Sequence, residues 1–258
     1  LYKLGAVDDI NLSYLYVIIY FNKENKMTTK EKIKKGIIKI ATESQDIKSD
    51  IITFVGDEFK KSIELKNQTS ETIKEITKDT LDGVYEGISE VKKKGQQCAD
   101  RLKEKDVEME DVLKKSAETM INVAKKEGEN ALATSKQVAE KTKGFFDNAS
   151  NKAKHSIDNI EDKAKEQMGD ALKNLNETKK EAKSKLDAIS DALKNYAIEK
   201  KDKTSMDISN ALHKTADKSK DAATDLMNLA KSHSKKLTSH SLSKVSDWLK
   251  NLSNKVSS

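Results

Sequence analysis

The residues VLKKSAETMINVAKKEGENALATSKQVAEKTKGFFDNASNKAKHSIDNIEDKAKEQMGDALKNLNETKKEAKSKLDAISDALKNYA, positions 112–197, decide the fold. Taken every eleventh residue, they fall into three columns. One runs Met120, Ala131, Thr142, Ala153, Ala164, Leu175, Leu186, Ala197, and a second runs Val138, Ala149, Ile160, Ala171, Ala182, Leu193. A third runs Leu113, Ala124, Ser135, Phe146, Ile157, Met168 and lapses into Lys179 and Ser190. Eleven residues over three turns is about 3.67 per turn, close to the natural pitch of an α-helix. The apolar face therefore stays on one side with almost no supercoil, or a slight right-handed one. The expectation is a long amphipathic helix over 107–199, or several laid end to end, spanning roughly 130 Å if unbroken.

Upstream the period changes. Thr28-Thr29-Lys30-Glu31 is a capping box, after which Ile33, Ile40, Ile47 and Phe54 keep a seven-residue spacing. Ile37, Ile51, Val55, Phe59 and Ile63 fill the same face, and polar residues 64–71 mark a turn. A second capping box at Thr72 and Glu75 leads into Leu81, Ile88, Gly95 and Leu102, with Val84, Val91 and Cys98 beside them. Residues 27–106 thus read as a heptad-patterned helical hairpin, with Cys98 a buried thiol on its seam. Asp106 is expected to cap the helix that follows. Heptad helices wrap left-handed around a partner, whereas eleven-residue repeats lie straight beside one or flat on a surface.

Composition points the same way. Apolar residues make up 35%, charged residues 36% and aromatics 5%, and proline is absent. An average chain of this length carries about a dozen prolines, and without them helices run long. The reading is an all-α chain, extended or loosely bundled, part of which orders only on a surface or on drying. The net charge of +6 comes from residues 200–258, where 12 Lys stand against 6 Asp; the preceding chain is balanced. Arg101 is the only arginine, and guanine reading and phosphate clamping favour Arg, so sequence-specific nucleic-acid binding is not expected. A single cysteine builds no disulfide framework, and the expected location is cytoplasmic, peripheral at a membrane surface.

The two ends differ from the middle. Residues 1–26 hold Tyr2, Tyr14, Tyr16, Tyr20 and Phe21 with a short β-branched run, and read as a leader upstream of a start at Met27. Gly144-Phe145-Phe146-Asp147-Asn148 interrupts the charge pattern as either a bundle turn or an aromatic anchor. After a break at 200–206, residues 200–258 form a basic tail rich in Ser and Lys. Its last stretch sets Leu242, Val245, Leu249, Leu252 and Val256 at spacings of three and four, with Trp248 beside them. An interfacial membrane helix has this layout, with Lys236, Lys244, Lys250 and Lys255 as its headgroup contacts. A terminal helix closing a bundle has it too.

Residues 112–200 resemble the group 3 late-embryogenesis-abundant proteins. That family repeats a unit close to Thr-Ala-Gln-Ala-Ala-Lys-Glu-Lys-Ala-Gly-Glu. Ala164-Lys165-Glu166-Gln167-Met168-Gly169-Asp170 follows its second half, and Lys180-Glu181-Ala182-Lys183-Ser184-Lys185 follows it more loosely. The resemblance implies a chain that becomes helical on drying or against membranes and shields bilayers and proteins. Apolipoproteins and granule-coating phasins are similar through their broad amphipathic helices. Phe145, Phe146, Ile157, Ile160 and the heptad half are more apolar than that family.

No phosphate loop, Cys-x-x-Cys or zinc-binding helix motif occurs, and His155, His213, His233 and His240 never fall four apart. No enzyme activity, metal or cofactor is expected. Two functions remain. In one, amphipathic faces cover a membrane, a hydrophobic granule or client proteins. In the other, they bind each other or a partner helix, as in a coiled-coil or homo-oligomeric bundle protein.

Overall fold

The computed structural model describes residues 27–64, 69–152, 157–200 and 206–256. For residues 96, 139, 142–152, 157–165, 167–168 and 236–256 it describes the helix but not the side chains. Among the described residues the chain is all α-helical: α1 (Thr29–Glu43), α2 (Ile47–Ile63), α3 (Ser70–Lys93), α4 (Gln96–Glu104), α5 (Met109–Lys152), α6 (Ile157–Glu199) and α7 (Met206–Val256).

The first helix starts where its capping box does. The Thr28 hydroxyl accepts from the Glu31 amide, and the Thr28 amide donates to the Glu31 carboxylate. The heptad seam then crosses a break that its spacing hides. α1 stops at Glu43, and Asp46 caps α2 by accepting from the Ser49 amide. The seven-residue spacing from Ile40 to Ile47 therefore joins two antiparallel helices rather than two turns of one. Thr69, not Thr72, caps α3, because it is the Thr69 hydroxyl that accepts from the Thr72 amide. Gly95 is not on a seam either. Its φ of 131° is open to glycine alone among common residues, and it ends α3 ahead of α4.

Asp106 closes α4 instead of capping α5. It adopts a left-handed φ of 51°. Its amide donates to the Lys103 carbonyl, and the Val107 amide donates to the Leu102 carbonyl. Leu102 and Val107 are both buried, which completes a Schellman motif with its apolar contact.

Contacts between named residues set the directions of the helices. Gly83 and Gly87 of α3 lie on Ile33 and Ile37 of α1, so these two run parallel. A Cβ at Gly83 would sit 2.7 Å from Ile33 Cβ and 2.8 Å from the Lys30 carbonyl oxygen. The small residues four apart are what let α1 approach so closely. Gly56 of α2 meets Thr119 of α5, and Lys48 pairs with Asp111 at 2.5 Å, again in parallel. α3 runs parallel to α6, from Ser70–Ser184 at one end to Lys78–Glu199 at the other. Hence α1, α2, α3, α5, α6 and α7 alternate in direction, with α3 touching α1, α2, α4, α5 and α6.

The eleven-residue stretch folds back on itself. Ser135 and Thr178 hydroxyls meet at 3.0 Å, and a Cβ at Gly128 would lie 3.1 Å from Ala182 Cβ. α5 and α6 are therefore an antiparallel pair, so the stretch over 107–199 is neither one long helix nor several laid end to end. The periodicity reads across the reversal because both helices present the same kind of face to one shared core. In that core lie Leu113, Met120, Ala124, Ala171, Leu175, Ala182, Leu186, Leu193 and Ala197. Among the described residues, two apolar column positions depart from it, since Ala131 is exposed and Val138 is 50% exposed. Both lie beyond the level at which Lys60 of α2 pairs with Glu127 of α5 at 3.8 Å.

α7 lies antiparallel on α6 and parallel to α5. The Ser190 hydroxyl donates to the Ala216 carbonyl at 2.9 Å, and the Ser219 hydroxyl donates to the Leu186 carbonyl at 2.7 Å. Both serines are fully buried. Ile, Leu and Val dominate the core of α1–α3, where each buried side chain contributes about 1.5–3 kcal/mol. The α5–α7 arm relies more on Ala, which buries roughly one methyl group per turn.

Candidate functional site

Two of the places where polar side chains meet across helices are the strongest candidates for a site among the described residues. The first lies where α6 ends against the middle of α3. Lys200 Nζ stands 2.8 Å from an Asp82 carboxylate oxygen, with the two side chains only 21% and 13% exposed. Tyr196, one turn earlier on α6, is buried beside Asp82, and the Lys200 ammonium sits 5.5 Å from its ring centroid. Burial first, then the Asp82 charge, pushes the Tyr196 phenol well above its ordinary range. Next to them, burial and the neighbouring carboxylates of Glu75 and Asp82 raise Asp79. Lys30 of α1 pairs with Glu86 at 2.7 Å and Lys78 of α3 pairs with Glu199 of α6 at 2.6 Å. The cluster ties three helices together. It holds a neutral phenol and paired charges.

The second is an open groove of about 310 Å³ between the start of α3 and α6. Two of its three lysines are already matched: Lys74 pairs with Asp191 at 3.1 Å, and Lys183 pairs with Asp187. Ser70 and Ser184 hydroxyls meet at 2.8 Å across its floor. Among the described residues no group of three His, Cys, Asp or Glu is placed to hold a metal ion. Among them, too, no helix is long and apolar enough to cross a membrane.

Arg101 has a structural task that sequence reading missed. From α4 its guanidinium donates to the carbonyls of Thr42 and Ser44, the latter at 2.7 Å, and so covers the open end of α1. Cys98 is half-buried against the core.

The residues expected to touch a membrane all lie on α7. They are Leu242, Val245, Trp248, Leu249, Leu252 and Val256 with Lys236, Lys244, Lys250 and Lys255. The helix is continuous through them to Val256, and their side chains lie outside the described residues. Phe145 and Phe146 fall within α5 rather than at its end, and their side chains are outside the described residues too. The leader expected over 1–26 is likewise outside them. The chain has no matching family model, no matching curated protein and no matching solved structure.

Proposed function

We propose that this chain is a non-enzymatic helical-bundle protein whose amphipathic faces bind one another. One observation carries the reading. The eleven-residue columns of α5 and α6 and the apolar face of α7 converge on a single core, with Leu132, Leu175, Leu186, Leu193, Leu212 and Leu226 buried. A face that is buried inside the chain is not free to lie on a bilayer, a granule or a client. Covering such a surface in the manner of the late-embryogenesis-abundant proteins would require α5–α7 to open.

Circular dichroism decides between these modes. High helicity in dilute buffer with a cooperative melt, unchanged by anionic liposomes, supports the bundle. Low helicity that rises only with liposomes, trehalose glass or trifluoroethanol would transfer the assignment to surface covering. Light scattering over a concentration series reads whether the bundle is monomeric or self-associates.

A further inference from the structure

The face that α7 lays on α5 and α6 repeats itself four residues on. A slide of one turn along its own direction carries Ile208 to the place of Leu212, Ser219 to that of Ala223 and Leu226 to that of Ala230. All six positions are buried, so the slide keeps buried side chains inside. The charges repeat at the same spacing. Lys218 pairs with Glu118 of α5 at 2.6 Å, and Asp225 pairs with Lys125 at 2.9 Å. After the slide the exposed Lys214 stands where Lys218 did, and the exposed Asp221 where Asp225 did. Lys194 of α6 exchanges Asp217 for His213. Four residues of helix are about 6 Å. The five residues 201–205 before α7 span up to roughly 17 Å when extended, long enough to follow.

Two buried contacts do not carry over. Leu226 seats on Gly128 of α5, where a Cβ would lie 2.7 Å from a Leu226 methyl carbon and 3.1 Å from Ala182 Cβ of α6. The slide would put Ala222 over Gly128 and leave a hole there. At the second contact the Ser190 hydroxyl of α6 donates to the Ala216 carbonyl at 2.9 Å, and Ser219 donates back to the Leu186 carbonyl at 2.7 Å. These hydroxyl-to-backbone bonds hold α6 and α7 close together. The slide would bring Leu212 into the place of Ala216. Emptying one core site and overfilling another both destabilise.

We propose that α7 has a second register on α5 and α6, one turn along its own axis, and that Leu226 on Gly128 together with Ala216 on Ser190 hold it in the first. Slides of one packed helix past another by a turn are a known form of conformational switch. In coiled coils, too, a buried residue that breaks the repeating pattern selects the register. A slide needs a packed α7, so the second register rests on the bundle reading.

Spin labels in the full chain, with Cys98→Ser, read the register as two distances. One pair is placed by Lys126→Cys with Asp207→Cys, the other by Lys114→Cys with Asn228→Cys, all at exposed positions. α7 runs parallel to α5 at a constant offset of 100 residues, so each pair lies obliquely along the two helices. The slide shortens the first distance and lengthens the second, each by about 5 Å. The native chain should give one distance per pair. Ala222→Leu with Leu226→Ala sets the leucine back one turn, where it reaches Gly128 in the second register. Adding Leu212→Ala clears the seam at Ser190. These variants should keep their helicity and move the two distances in opposite senses. Distances that stay unchanged in both variants overturn the proposal. So does lengthening of both distances, which marks α7 as detached rather than slid, and so does a native chain that already shows both registers. Failure of the bundle reading looks different, because the labelled native chain would then lack helicity in dilute buffer.

Discussion

Asp82, in the middle of α3, and Lys200, just past the end of α6, form a mostly buried ion pair at 2.8 Å between segments far apart in sequence. Most other pairs between helices are more exposed, such as Lys74–Asp191 and Lys125–Asp225, and contribute about 0–1 kcal/mol each. Removing one partner of a buried pair costs more, because the remaining charge stays out of water. Asp82→Asn should destabilise the fold by about 2–3 kcal/mol in denaturant titration, since water still reaches part of the pair. The double variant Asp82→Leu with Lys200→Met should recover much of the loss. If the losses of the two single variants simply add, the pair does not couple α3 to α6.

Tyr196 makes stability fall at high pH. Burial and the Asp82 charge raise its pKa above the ordinary value of 10.0, so the folded chain keeps a proton that the unfolded chain releases. The resulting stability is fully present below about pH 10 and is lost as pH rises above it. Lys30 and Lys78, raised by hydrogen bonds to Glu86 and Glu199, lose their contribution in the same direction, so the effect must be read by difference. Chemical denaturation from pH 8 to 11 should show a shallower decline for Tyr196→Phe than for the native chain. Parallel declines would mean that the phenol ionises freely.

Asp106 holds a left-handed conformation that costs a residue with a Cβ roughly 1 kcal/mol. Asp106→Gly keeps both Schellman hydrogen bonds and should raise stability by about 0.5–1 kcal/mol. Asp106→Val, a β-branched residue in the same conformation, should lower it by more than that. A pair of thermal melts checks the sign of each, and a loss of stability in the glycine variant would refute the assignment.

Much of this fold is legible in residue spacing. The stripes Ile33–Ile37 and Ile51–Val55–Phe59 and the columns of Leu175–Leu186 and Ala182–Leu193 all point to the core that the structure buries. Breaks are less legible, because a period can continue across one. Ile40 and Ile47 keep their heptad over the turn at Ser44, and the signal that mattered was Asp46 three residues before Ser49. Lapses in a column mislead in the other direction. Ser190 looks like a failed apolar position, yet it is buried and bonded to a carbonyl of α7. The Asp82–Tyr196–Lys200 cluster was out of reach. Asp82 lies more than a hundred residues from Tyr196 and Lys200, and only the parallel packing of α3 on α6 joins them.

Two glycines in helix interiors should respond to alanine with opposite signs. In an open helix the change stabilises by up to about 1 kcal/mol, because glycine loses more backbone freedom on folding. Gly169 of α6 is exposed, and a Cβ there would meet nothing within 4 Å, so Gly169→Ala should raise the melting temperature. Gly83 of α3 is buried, and its added Cβ would press on the Ile33 side chain at 2.7 Å and the Lys30 carbonyl at 2.8 Å. The carbonyl belongs to the backbone of α1 and cannot turn aside, so α1 must move away from α3. Overpacking of this kind costs about 1–3 kcal/mol, which outweighs the propensity gain. Gly83→Ala should therefore melt earlier than the native chain and Gly169→Ala later. Equal gains in both would show that α1 and α3 do not approach as closely as Gly83 and Gly87 allow.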